Sequence, residues 1–270
     1  MNAKRPQCLT VFRPAALAVL GILALSACSS TEETYVEKPV EELYNKAMDS
    51  LNKGNLGTAA VEFDEVERQH PYSAWATQAQ LQAAYTNYEA RKYDDAIIAL
   101  DRFIQLHPGH RNVAYAYYLK GLCYYDQIAD VGRDQKMTQL AMQSLQDVIT
   151  RFPTSRYARD AQLKIDLTRD HLAGKEMTIG RYYQTQGHFL AAINRYKVVI
   201  EQYQTTTHAP EALHRLVECY ESLGLAEEAK KVASVLGHNF PGSEWYIDSY
   251  QNVEGVKVRP DPEKSWWKLW

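Results

Sequence analysis

The stretch AIIALDRFIQLHP, residues 96–108, decides the fold of this 270-residue chain because its pattern recurs at four other places. In three of them, which end at Pro71, Pro153 and Pro241, an alanine again lies twelve residues before the proline. An apolar residue follows the alanine after four positions and another after seven, which places an apolar stripe along one helix face. Because proline ends a helix, the stretch predicts a helix that is repeated along the chain.

A second predicted helix precedes each copy and carries a small or apolar residue at a matching position. These residues are Ala47, Ala84, Gly121, Gly180 and Val217. The fifth copy, residues 180–204, keeps Ala192 and Tyr196 in register but has Gln204 where a proline is expected. Small residues let two helices approach closely, so the two helices of each copy are predicted to pack as a pair.

This alternation of small and large residues resembles the tetratricopeptide pattern, in which helical pairs stack into a solenoid. Gly54, Gly187 and Gly224 lie where the chain must turn back between the helices of a pair. We therefore expect an all-α, tetratricopeptide-like solenoid of about five helical pairs. The predicted pairs cover residues 39–71, 72–108, 109–153, 154–204 and 205–242, and a C-terminal extension covers residues 243–270.

The spacing between copies is irregular, since the first three intervals measure 37, 45 and 51 residues. The second interval predicts a long connection over residues 126–135 in the third pair. The third interval contains residues 155–176, which are interpreted either as one long helix or as a helix with a break at Gly174. The chain is thus predicted to depart from a regular repeat near its centre.

The first 27 residues have the parts of an export signal that ends in a lipid anchor. Positive charge precedes an apolar segment over residues 15–25, which is too short to span a bilayer as a helix of about 20 residues. The sequence LSAC at residues 25–28 fits the bacterial lipobox, so Cys28 is predicted to carry diacylglycerol and acyl chains such as palmitate. Residues 28–38 then form a polar tether. The alternative is an ordinary secretory signal with a cysteine nearby by chance.

Charge and motif content exclude several classes of function. Three of the 30 Lys and Arg residues lie in the leader, which leaves 27 against 33 acidic residues and a formal charge of −6. Without a long basic block, no nucleic acid partner is expected. Hydrolase, nucleotide-binding and zinc-protease motifs are absent from the sequence, so the chain is predicted not to be an enzyme. No cofactor and no metal are expected, apart from the covalent lipid on Cys28.

Two pairs of residues suggest chemistry but have simpler interpretations. His107 and His110 flank a Pro-Gly turn and are interpreted as polar turn residues rather than as metal ligands. Cys123 and Cys219 lie at equivalent positions two pairs apart. Helices pack 8–10 Å apart, so this separation exceeds the roughly 7 Å that a disulfide allows between Cα atoms. Both cysteines are predicted to be buried free thiols.

Candidate binding residues are aromatic. Tyr115, Tyr118 and Tyr125 point away from the predicted core positions of their helix and are candidates for the concave face, which binds extended segments in helical solenoids. In the C-terminal tail, the tryptophans are Trp266, Trp267 and Trp270. Three interpretations remain open for them: folding back onto the last repeat, contact with the membrane surface, or docking of a partner.

With these features placed, the chain resembles the BamD family of outer-membrane assembly lipoproteins. The most specific stretch is ALDRFIQLHPGHRNVAYAYYLKGL, residues 99–122, supported by GRDQ, RFPTSRYARDA and KEMTIGRYYQTQGHFLAAINRY. The resemblance extends over roughly residues 39–240. It implies a non-enzymatic scaffold of the β-barrel assembly machinery, with the barrel subunit, its accessory lipoproteins and unfolded outer-membrane proteins as partners.

The resemblance also assigns surfaces. It implies that the N-terminal repeats receive the C-terminal signal of the substrate and that the C-terminal repeats dock on the barrel subunit. The matching INR segment places Asn194 and Arg195 at that docking surface, although Arg195 is alternatively a solvated helix residue. Ser29 and Ser30, which follow the lipobox cysteine, imply anchoring on the periplasmic face of the outer membrane.

Two other roles suit a lipid-anchored helical solenoid. The chain is alternatively a pilotin that escorts a secretin, or an adaptor for peptidoglycan enzymes. Pilotins have more regular repeats of about 34 residues, so the intervals of 45 and 51 residues count against that role.

Overall fold

The computed structural model describes residues 37–255, and every regular element in that range is an α-helix. The chain divides into a unit of residues 1–38, of which only Glu37 and Lys38 are described, and a unit that starts at Pro39. The eleven described helices are α1 (Val40–Asn52), α2 (Leu56–Gln69), α3 (Ala74–Glu89), α4 (Tyr93–Leu106), α5 (Val113–Tyr125), α6 (Lys136–Arg151), α7 (Arg156–Thr185), α8 (Phe189–Gln202), α9 (Ala209–Ser222), α10 (Ala226–Asn239) and α11 (Glu244–Glu254). Within residues 37–255, no helix is both long enough and apolar enough to cross a membrane.

The helices from α1 to α10 form five successive pairs, and α11 follows the last pair. The prediction of an all-α solenoid of about five helical pairs is therefore confirmed. The first, fourth and fifth pairs turn at Gly54, Gly187 and Gly224, whose φ angles of 78°, 76° and 74° lie in the left-handed region that glycine tolerates. In the second pair, Arg91 adopts a φ of 58° at the corresponding turn.

The core follows the repeat register. The recurring alanines of the second helices are 0–1% exposed: Ala59, Ala96, Ala141, Ala192 and Ala229. The residues four positions later include Phe63, Leu100, Leu145 and Tyr196, each 0% exposed. Because both sets lie on the stripe that faces the partner helix, the core is a series of layers between successive helices.

The first helix of each pair lies on the inner side of the stack. Successive first helices contact one another: α1 contacts α3, α3 contacts α5, and α5 contacts α7. Across residues 37–255, the second helices do not approach one another to that extent. The first helices therefore line the concave face, which is the face that solenoids present to extended partners.

The two irregular intervals have distinct structural origins. Residues 126–135 connect α5 to α6, at the position predicted for a long connection. Of residues 155–176, for which one long helix or a broken helix was expected, all but the N-cap Ser155 belong to the uninterrupted helix α7, which has 30 residues and is about 45 Å long. Its N-terminal part contributes Ile165 to the core beside α6, and its C-terminal part contributes Met177 to the core beside α8. One helix thus serves two layers.

Cys123 and Cys219 are free and buried, as predicted. Burial raises the pKa of each thiol to about 12, so neither is a reactive thiolate near neutral pH. The predictions for the leader, for Cys28 and most of the tether, and for Trp266, Trp267 and Trp270 lie outside the described residues.

The close approach of α7 and α8 at Gly180 yields a test of the fold. A Cβ atom built on Gly180 would lie 2.4 Å from Cε1 of Tyr196, whose ring is fully buried and whose hydroxyl donates to Oε1 of Gln184 at 2.7 Å. We expect Gly180→Ala to lower the free energy of unfolding by about 1–3 kcal/mol, because overpacking outweighs the gain in helix propensity.

The matched control is Gly57→Ala, since Gly57 also lies in a helix but has no atom within 4 Å of its Cβ position. Urea unfolding followed by circular dichroism should show unchanged or slightly raised stability for this control. Equal stabilisation by both substitutions would contradict the close packing of α7 on α8.

Candidate functional site

Three aromatic rings gather on the concave face between α5 and α7. Tyr115 lies 5.5 Å from Tyr157 between ring centroids, and Tyr118 stacks on Tyr157 at 5.1 Å with an interplanar angle of 23°. Tyr115 and Tyr157, but not Tyr118, line a cavity of about 370 Å³ together with residues of α3, and this cavity is here called the aromatic groove. Its lining residues are Gln78, Leu81, Gln82, Tyr85, Asn112, Tyr115, Arg156 and Tyr157.

A polar contact fixes Tyr118, the ring that stacks on Tyr157 beside the aromatic groove. The hydroxyl of Tyr118 donates a hydrogen bond to Asp160 on the next turn of α7. This bond lowers the pKa of Asp160 despite partial burial, and Lys164 lowers it further. Burial raises the pKa of both Tyr115 and Tyr118 above the ordinary range, so both remain neutral phenols. The groove therefore offers preset apolar ring surfaces.

Arg156 gives the aromatic groove its positive end. The guanidinium carbon lies 4.8 Å above the Tyr157 ring, and Nη2 donates to the Tyr157 hydroxyl at 2.6 Å. Arg156 is exposed at the first position of α7. A guanidinium held over a ring in this way can pair with a carboxylate while its side chain stays in place.

Tyr125 lies elsewhere on the concave face, at the opposite end of α5 from Tyr115. It lines a second cavity of about 670 Å³, here called the central cleft, between residues 126–131 and α7. The Nζ atom of Lys164 lies 5.3 Å from the Tyr125 ring centroid. The structure thus brings Tyr115 and Tyr118 together and places Tyr125 in a separate cavity.

Two leucines of α7 extend the apolar surface between the two cavities. Leu163 and Leu167 are 58% and 59% exposed, and Leu167 also lines the central cleft. They lie one helical turn apart and therefore share a face of α7. Exposed leucines at this spacing on a concave face form an apolar surface that no described helix covers.

Four residues of this surface are not among those predicted from the sequence: Arg156, Tyr157, Leu163 and Leu167. A usable signal was present in the repeat register. Tyr118 and Leu163 each lie ten residues after the proline that ends the preceding helix, as does Leu81. The large apolar or aromatic residues at this position in successive repeats indicate that they contribute to the same concave surface.

Asn194 and Arg195 lie on α8, away from the aromatic groove. Arg195 is 43% exposed at its side chain, and its Nη1 atom forms an ion pair of 3.1 Å with Oε2 of Glu176 on α7. Asn194 and Arg195 also line a cavity of about 240 Å³ with Tyr183, Ala191 and Val198, here called the C-terminal cleft. The pair is partly buried, since the Glu176 side chain is 21% exposed, and a pair close to the surface contributes about 1 kcal/mol or less to stability.

A charged network stabilises the first helices of the C-terminal half. Arg181 on α7 donates two hydrogen bonds of 2.9 Å to Glu211 on α9. Glu218, also on α9, accepts from Gln184 at 2.8 Å and from Arg215 at 2.9 Å. The network therefore links α7 to α9 by paired, bidentate contacts.

The histidines of the H-x-x-H turn have structural contacts. His107 Nε2 lies 3.0 Å from Oε1 of Gln80, and both His107 and His110 pack their rings against Phe103. In the part of the chain that the structure describes, no group of three His, Cys, Asp or Glu side chains is arranged to hold a metal ion.

A helical solenoid with an aromatic concave groove defines a scaffold class that binds extended polypeptide segments. A family model described as an outer membrane lipoprotein, YfiO, matches residues 36–236. The chain is 49% identical over 254 residues to the outer membrane protein assembly factor BamD of Caulobacter vibrioides, with 92% of this chain and 83% of that protein covered.

Two other relatives carry the same name. The BamD proteins of Rickettsia prowazekii and of Neisseria meningitidis serogroup A are 48% identical over 243 residues and 36% identical over 266 residues. The alignments cover 90% and 92% of this chain and 96% of each relative. The chain therefore belongs to the BamD family of outer-membrane protein assembly factors, a non-enzymatic class, and the predicted resemblance is confirmed.

Glu218 yields a pH-dependent test of the charged network. Burial opposes its charged form, but hydrogen bonds from His214, Gln184 and Arg215 outweigh burial and lower its pKa from an ordinary 4.5 to about 2. The folded state thus gains stability above about pH 4.5, and this gain is lost as the pH falls toward 2. We expect Glu218→Gln to lower the free energy of unfolding by about 2 kcal/mol at pH 7. Below pH 4.5 the difference between this variant and the wild type should become smaller.

Thermal unfolding of both proteins between pH 7 and pH 2.5 measures this difference. The control is Glu228→Gln, since Glu228 is 49% exposed and pairs with Lys231 at the surface of α10. A constant difference between wild type and Glu218→Gln across this range would show that the network does not depend on the ionised carboxylate.

Proposed function

We propose that this chain is a lipid-anchored scaffold of the β-barrel assembly machinery on the periplasmic face of the outer membrane. In this role its concave face holds segments of unfolded outer-membrane proteins, and its C-terminal cleft docks on the barrel subunit. The observation that carries the proposal is the aromatic groove, whose stacked rings continue into the exposed leucines of α7.

The concave face suits an extended, partly apolar peptide. Ten residues of α7 separate Tyr157 from Leu167, a distance of about 15 Å that four or five extended residues span. Alternate side chains of such a peptide would pack on Tyr157, Leu163 and Leu167. A terminal carboxylate would pair with Arg156, which supports the C-terminal signal of a substrate as the bound segment.

The docking surface lies on a different helix from the aromatic groove. Arg195 belongs to α8, a second helix, whereas the groove residues lie on the first helices α3, α5 and α7. In the free chain the guanidinium of Arg195 is held by Glu176. A carboxylate of the barrel subunit would replace Glu176, with Asn194 beside it as a further hydrogen-bonding group. Substrate and barrel subunit would then bind at the same time.

The anchor follows from residues 25–28, the lipobox that ends at Cys28. Each buried methylene contributes about 0.8 kcal/mol, so two or three acyl chains attach the protein stably to the membrane. Ser29 and Ser30 support retention at the outer membrane. Accessory lipoproteins of the machinery would share this membrane surface.

The proposal predicts that the exposed leucines of α7 bind substrate. The test substitution is Leu163→Asp with Leu167→Asp, which leaves the core intact and removes two apolar contacts. We expect the dissociation constant for a fluorescent peptide with the last fifteen residues of an outer-membrane barrel protein to rise at least about tenfold. Fluorescence anisotropy measures it, with a scrambled peptide for comparison.

The matched control is Ile98→Asp with Leu190→Asp, since both residues are 68% exposed but lie on the second helices α4 and α8.

Arg195→Glu tests the docking surface separately. This variant should bind the peptide with unchanged affinity, but the barrel subunit should no longer co-purify with it from solubilised membranes. Equal peptide affinity for all variants would contradict the substrate role. A secretin or a peptidoglycan enzyme as the main co-purified protein would favour the pilotin or adaptor role.

A further inference from the structure

The last described helix, α11, has the features of a first helix that lacks its second helix. Tyr250 lies nine residues after Pro241, and Leu213 lies nine residues after Gln204, which occupies the proline position of the preceding repeat. Leu213 is 5% exposed and lies on α9, against which α10 packs, whereas Tyr250 is 42% exposed. Within residues 37–255, no helix follows α11 to cover it.

A cavity of about 310 Å³ lies along this uncovered side, between α10 and α11, and is here called the terminal groove. Its lining residues are Lys230, Ala233, Ser234, Gly237, Tyr246, Tyr250, Val253 and Glu254. Gly237 lets Tyr246 lie flat against α10, since a Cβ atom there would be 2.5 Å from Cε2 of Tyr246. The floor of the terminal groove is therefore formed by small residues and aromatic rings.

We propose that residues 256–270 fold back along α11 and place tryptophan side chains in the terminal groove, in the position that the second helix of a sixth pair would occupy. The described chain ends beside this groove, because Val253 and Glu254 line it. Gly255 has a φ of 67°, the left-handed conformation that also reverses the chain between the helices of the regular pairs.

Length is compatible with this arrangement. The tail has 15 residues, while the second helices have 14 or 16. Pro260 and Pro262 prevent a continuous helix, so the tail would cover α11 as an extended segment. An 11-residue helix is about 16 Å long, which about five extended residues span. Trp266 lies eleven residues beyond Gly255 and therefore reaches any part of the groove.

Charge also favours the tail as the occupant. Helix α11 carries three acidic residues and no lysine or arginine, and of its acidic residues Glu254 lines the terminal groove, as does Lys230 of α10. The tail carries four basic residues, Lys257, Arg259, Lys264 and Lys268, against two acidic residues, Asp261 and Glu263. Bringing an acidic helix and a basic segment together is favourable, and it leaves the tryptophan rings on the apolar floor.

Hydrogen exchange of α11 amides, measured by mass spectrometry, tests the proposal in a full chain with Cys28→Ser, so that no lipid is attached. We expect residues 244–255 to exchange at least tenfold faster when Trp266, Trp267 and Trp270 are replaced by serine. Deletion of residues 264–270 should have the same effect. Helix α3 serves as the internal reference, because neither change touches it.

Tyr250→Asp in the otherwise intact chain should also speed exchange in α11 and release the tail, whereas Tyr182→Asp, which alters a 62% exposed tyrosine on α7, should not. Equal α11 exchange with and without the tryptophans would overturn the proposal. Protection of residues 256–270 only after addition of phosphatidylethanolamine–phosphatidylglycerol vesicles would also overturn it, and would assign the tail to the membrane surface.

Discussion

The contact on which this fold depends is the insertion of a large side chain of the second helix against a small residue of the first helix, which recurs in the first four pairs. Gly121 receives Leu145 and Gly180 receives Tyr196, at distances that leave no room for a Cβ atom. Such close approach fixes the axial position of one helix against the other, because a shift by one residue would bring larger side chains into contact. Repeating this contact builds the stack.

The concave face is a consequence of this stacking. The first helices contact one another along the inner side of the stack. Their solvent-facing residues at successive repeats therefore form one continuous surface. Tyr118, Tyr157 and Leu163 belong to this surface although α5 and α7 are separated by α6 in the sequence. The solenoid thus brings residues that are distant along the chain into one groove, while Arg195 lies on another helix, α8.

The repeat register was readable from the sequence because it depends on residue size and on proline, which are local properties. The buried alanines and the large core residues follow from it. The site could be predicted only in part. Tyr157 and Leu163 were not predicted because whether a side chain of α7 meets a neighbouring ring or solvent depends on how α5 and α7 pack together. The ion pair of Arg195 with Glu176 joins two helices, and no sequence pattern indicates it.

The most direct test of the account is site-specific photo-crosslinking in intact cells. A photoreactive phenylalanine analogue replaces Leu163 on the concave face or, as the comparison, Leu190 on α8, which is similarly exposed. We expect newly made outer-membrane barrel proteins to crosslink at position 163 and not at position 190. Equal crosslinking at both positions, or crosslinks at position 163 only to a secretin or a peptidoglycan enzyme, would contradict it.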